Sequence, residues 1–81
     1  MRYTFKHTPT GKFLYDEGVW DEDNDNPISL LIDKQDKRIE SYPGSFGNKE
    51  VVKEVFDYLK PIIHTNDGTC FSKTEFQIVE V

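Results

Sequence analysis

Three features of the sequence predict an α+β fold, a small and mostly antiparallel sheet of about four to five strands with one amphipathic helix packed on one face. Runs with period-two alternation open and close the chain, one run of helical period lies between them, and turn-forming residues separate the segments. In Arg2-Tyr3-Thr4-Phe5-Lys6-His7 the aromatic side chains alternate with polar ones, which is the pattern of a half-buried strand. Thr8-Pro9-Thr10-Gly11 supplies a fixed φ and a residue tolerant of positive φ, and Lys12-Phe13-Leu14-Tyr15-Asp16 alternates again. The two runs make an N-terminal β-hairpin. After Pro27, Ile28-Ser29-Leu30-Leu31-Ile32-Asp33 reads as a more buried strand. Lys34-Gln35-Asp36-Lys37 is a polar turn, and Arg38-Ile39-Glu40-Ser41-Tyr42 is expected to return as an edge strand that Pro43-Gly44 stops.

The helix is expected from Asn48 to Leu59, with Asn48 as N-cap and Glu50 in the first turn. Val51, Val52, Val55, Phe56 and Leu59 form one apolar stripe, while Lys49, Glu50, Lys53, Glu54 and Asp57 take the opposite side. Pro61 cannot continue the backbone ladder, so Ile62 and Ile63 are read as a short packed extension. Asn66-Asp67-Gly68 is a turn, and Glu75-Phe76-Gln77-Ile78-Val79-Glu80-Val81 is a strand with apolar residues on both faces. The helix stripe needs a partner, and the sheet face assigned to it carries Phe5, Phe13, Ile28, Leu30, Phe76 and Ile78.

At 81 residues the chain can build one core, so a single domain over 1–81 is expected. Cys70 is the only cysteine, which leaves no internal disulfide and fits a reducing compartment. Met1–His7 contains no apolar run and no stretch is long enough to span a bilayer, so a cytoplasmic location without a membrane partner is expected.

Charge is the most uneven property. Ten bases and 15 acids leave a net charge of −5, yet residues 16–26 alone hold six acids and no base. The other residues are nearly balanced. Acids alternating as Asp21, Asp23 and Asp25 match the first ligands of a calcium loop, but Asn26 stands where that loop bends on glycine and Ile32 where a glutamate closes the shell. With two distant histidines and one cysteine there is no zinc spacing either, so neither a metal nor another cofactor is expected. Trp20 lies amid these acids, where so large a ring either folds inward, the commoner outcome, or is presented as an aromatic anchor. Asp16, Glu17, Trp20, Asp21, Glu22, Asp23 and Asp25 therefore form the candidate site, an acidic loop for a protein partner with a basic surface.

Other candidates carry less. Tyr3, Phe5, Phe13 and Tyr15, with Arg2, Lys6 and Lys12, are the raw material of a platform for RNA or single-stranded nucleic acid, provided the rings are exposed. Cys70 would be a nucleophile only beside a base such as His64; a small packed thiol is the expectation, and His7 and His64 are expected to be partly exposed. Neither Gly11-Lys12 nor Pro43-Gly44-Ser45-Phe46-Gly47 is a phosphate loop. A non-catalytic protein is expected, a monomer or a homodimer paired through the edge at Arg38–Tyr42 or Glu75–Val81.

His7-Thr8-Pro9-Thr10-Gly11-Lys12 and Glu75-Phe76-Gln77-Ile78-Val79-Glu80-Val81 resemble the openings and endings of small early or accessory proteins of T4-like tailed bacteriophages. A chain without alanine and rich in Lys, Asp and Ile is similar to the usage of AT-rich phage genomes. No catalytic residue carries over. The resemblance implies a role in host cytoplasm: binding and modulating or inhibiting a host factor, such as a nuclease, a transcription protein or a defence protein.

Overall fold

The computed structural model describes residues 1–23 and 26–81, and the side chains of residues 17–19, 21, 26 and 27 lie outside that description. The fold is α+β, with strands β1 (Tyr3–His7), β2 (Phe13–Asp21) and β3 (Asn26–Ile32), a 3₁₀ turn (Lys37–Glu40), helix α1 (Lys49–Tyr58), and strands β4 (Ile62–Thr65), β5 (Cys70–Ser72) and β6 (Phe76–Glu80). The order across the sheet is β5-β4-β3-β2-β1-β6. Six strands replace the expected four to five. β3 and β4 run parallel while every other pair is antiparallel, so the sheet is mixed. The residues read as a helix extension, Ile62 and Ile63, open β4 instead.

β5 and β6 lie at opposite ends of that order, yet only a 3₁₀ turn at Lys73–Glu75 separates them in sequence. The sheet must curl to bring them together. Ser72 caps this turn in a reciprocal box with Glu75. The ring of His7 from β1 packs between Phe71 of β5 at 4.4 Å and Phe76 of β6 at 4.9 Å.

α1 begins where Asn48 Oδ1 accepts hydrogen bonds from the backbone N–H groups of Glu50 and Val51, at 2.8 and 3.3 Å. Its last turn is capped from outside, as Lys73 Nζ donates to the Leu59 carbonyl at 3.2 Å. Val52 is fully buried, Val55, Phe56 and Leu59 are half-buried, and Val51 is exposed. The helix packs over Phe5, Leu14, Phe46, Ile63 and Phe76, with Ile78 and Leu31 beside them.

Phe13 and Leu30 are not on this face, as the alternation had suggested. They pack with Ile32 and Ile39 on the opposite face, and Ile28 shares their parity along β3. Both faces of β2 and β3 are covered, one by α1 and the other by the 3₁₀ turn that replaces the expected edge strand at Arg38–Tyr42. Asp36 caps that turn, accepting from Arg38 N at 3.0 Å and pairing with the guanidinium at 2.6 Å. The Arg38 hydrogen bonds hold the Asp36 carboxyl down at about 2. Thr4 Oγ1 donates to Gly44 O at 2.8 Å, and Ser45 Oγ donates to Ile39 O, so the segment after the turn is tied to both β1 and the turn itself. Among the described residues no helix is long and apolar enough to cross a membrane.

Candidate functional site

Most of the expected acidic loop is strand. β2 continues to Asp21 and pairs with β3 through Asp16 with Ser29, Val19 with Ile28, Trp20 with Pro27 and Asp21 with Asn26. The register shifts between Asp16 and Val19, and the extra residues there re-aim the far end of the strand. Pro27 is two positions from Ser29, so Trp20 returns to the face that carries Ser29 and Asp16, the face against which α1 packs. Its indole is 54% exposed, and Lys60 Nζ, just beyond α1, stands 5.9 Å from the ring centroid. That is the outer range of a cation–π contact. The carboxylates of Asp16, Glu22 and Asp23 are exposed. Asp25 and the side chains of Glu17 and Asp21 lie outside the described residues.

Asp16 also stands at the rim of a cleft that no linear motif announces. The C-terminal half of α1 contributes Val55 and its C-cap Leu59, the sheet contributes Phe5, Leu14 and Ser29, and the segment before the helix contributes Tyr42, Pro43 and Phe46. The cavity is small, about 70 Å³, well below the roughly 300–1,000 Å³ of pockets for whole small molecules and on the scale of a single side chain. Ser29 is 6% exposed, and its hydroxyl has no hydrogen-bond partner among the described residues. Buried hydroxyls are as a rule satisfied, so this one marks the cleft.

The four rings considered for nucleic acid do not make a platform. Phe5 and Phe13 are 4% and 5% exposed and belong to cores on opposite faces, while Tyr3 and Tyr15 are half-buried, each beside a different core. His7 is buried rather than partly exposed, with Nδ1 bonded to Thr10 Oγ1 at 2.8 Å and Nε2 at 3.3 Å from Glu75 Oε1. It ties the first turn to the last one. Cys70, expected to be packed, is exposed on β5, directly across from His64, with Sγ 3.4 Å from Nδ1. The pairing of β4 with β5 through a short turn brings the two together, a contact that a spacing of six residues around Asn66-Asp67-Gly68 could have suggested. Among the described residues no group of three His, Cys, Asp or Glu side chains could hold a metal ion.

In comparisons with known proteins, no family model, no curated protein and no solved structure matched the chain.

Proposed function

We propose that the protein is a non-catalytic binding module that docks on a basic protein surface through the acidic end of the β2–β3 hairpin, with Trp20 as the anchor. The observation that carries this reading is a large aromatic ring left 54% exposed on a two-stranded arm among acids. A half-exposed indole within an acid-rich stretch of sequence offers a partner both apolar area and electrostatic steering. The 5.9 Å approach of Lys60 illustrates the kind of group the ring accepts. The six acids of residues 16–26 supply a local field that the nearly balanced remainder does not cancel. The burial of Phe5 and Phe13 removes support from the nucleic-acid alternative. The resemblance to phage early proteins would make the partner a host factor that is modulated or inhibited.

The test compares proteins retained from a bacterial lysate by the wild type, by Trp20→Ala and by a variant with Asp21→Asn, Glu22→Gln, Asp23→Asn and Asp25→Asn. A partner held by the wild type at low salt, released at raised salt and lost by both variants is the expected result. Equal retention by the charge variant, with an unchanged salt dependence, would reject the proposal.

A further inference from the structure

The cleft rimmed by Asp16 has a composition more specific than an apolar groove. Leu14, Val55, Leu59 and Phe46 give it hydrocarbon walls, and its polar groups include Asp16 and Ser29. These two are direct cross-strand partners, so their side chains stand side by side on one face. The Ser29 hydroxyl is more than nine-tenths buried and has no partner among the described residues. Together they present an oxygen pair of net charge −1 at one end of a hydrocarbon slot.

We infer that this cleft receives a single lysine side chain of the partner protein, its four-carbon stem against Leu14, Val55 and Leu59 and its ammonium between Asp16 and Ser29. The inference rests on the protein-binding reading above and names the side chain that it requires. Lysine fits better than arginine. Its compact ammonium carries three donors and no acceptor, which can serve a carboxylate oxygen and a hydroxyl oxygen at once, whereas a guanidinium fork seeks two coplanar acceptors. A neutral aliphatic side chain would fill the slot and leave the buried hydroxyl unsatisfied, a loss worth discrimination. The slot adjoins the acidic arm because Asp16 belongs to both, so a basic surface steered to the arm arrives with a lysine at the mouth.

The experiment uses the full chain and two model compounds, Nα-acetyl-lysine N-methylamide and its norleucine counterpart, which has the same stem without the ammonium. Methyl resonances of Leu14, Val55 and Leu59 are monitored by NMR during titration. The lysine compound should shift all three with a dissociation constant on the order of millimolar, and the norleucine compound should bind at least about tenfold more weakly. Asp16→Asn and Ser29→Ala should each weaken the lysine compound by about threefold or more, roughly the effect of one hydrogen bond. Ser29→Ala removes only an unpaired hydroxyl, and an unchanged thermal midpoint establishes that its fold is intact. Equal affinity for the two compounds, or no movement of the cleft methyls, would overturn the inference. An oligolysine peptide separates the two readings: if it binds the wild type without moving the cleft methyls, the cleft inference fails and the acidic arm stands. If it does not bind at all, both fail.

Discussion

Replacing Gly44 with alanine should be among the most damaging single changes in this protein, and the reason is space. A Cβ at this position would stand 1.9 Å from the Arg38 carbonyl oxygen, 2.6 Å from its carbon and 3.1 Å from Ile39 Cα. Ordinary contact begins at 3.4 Å, so the two backbone segments would have to part by about 3.4 − 1.9 = 1.5 Å, and neither opposing group is a side chain that could swing away. A movement of that size breaks the hydrogen bonds from Thr4 Oγ1 to Gly44 O and from Ser45 Oγ to Ile39 O, both buried. Each is worth about 1 kcal/mol net. Lifting Ile39 from Phe13 and Ile32 removes about 1–2 kcal/mol more of its burial. The total is about 3–4 kcal/mol, against a stability of roughly 4–12 kcal/mol expected at this length. Urea unfolding monitored by tryptophan fluorescence and circular dichroism measures it, with Gly11→Ala as control. Gly11 has φ +74° and nothing within 4 Å, so alanine there should cost only about 1–2 kcal/mol of backbone strain. A Gly44→Ala protein within about 0.5 kcal/mol of the wild type would refute the argument.

Val52→Ala, at the fully buried position of α1, should lower stability by about 2 kcal/mol, whereas Val51→Ala, one residue away and exposed, should leave it within about 0.5 kcal/mol; equal effects would mean the helix face is misassigned. Hydrogen bonds from Thr65 and Thr69 hold the Asp67 carboxyl at about 2, as Arg38 does for Asp36. The unfolded chain, with carboxyls near 3.9, binds more protons between these values, so this stabilisation is complete above about pH 5 and is lost as the pH falls towards 2. Asp67→Asn should flatten that acid limb, and thermal melts that keep the wild-type slope would contradict the assignment. Cys70, exposed on an edge strand, should react in full with a thiol reagent such as Ellman's reagent under native conditions, and a need for denaturant would contradict its placement.

Elements whose signals are local were legible. Asn48 and the Val52, Val55, Phe56 and Leu59 stripe located the helix within a residue of its ends, because capping and helical period act over a few positions. The faces of β2 and β3 were not legible. Phe13-Leu14-Tyr15 and Leu30-Leu31-Ile32 are apolar on both sides, so alternation could not decide which parity meets the helix. The 3₁₀ turn at Lys37–Glu40 was not legible either: the short run Arg38–Tyr42 before Pro43-Gly44 has the pattern of an edge strand, whereas Ile39 is buried by packing against the face that carries Phe13 and Ile32. β4 was missed for a different reason: its parallel register with Ile28 and Ser29 joins residues more than thirty apart, and no local motif encodes that. The same division runs through the site. The acids and Trp20 are a run in the sequence, but the cleft draws on β1, β2, β3, the Tyr42–Phe46 segment and α1, and Ser29 becomes conspicuous only when its burial is seen.

The seating of β6 against β1 bears on how the chain is made. Phe76 and Ile78, which complete the hydrocarbon layer beneath α1, are delivered by residues that leave the ribosome some seventy positions after Phe5, their partner in the layer. Until those residues are present the chain carries β1 with one flank open and a helix resting on an incomplete floor, so this layer closes in a late step rather than by stepwise accretion from the N-terminus.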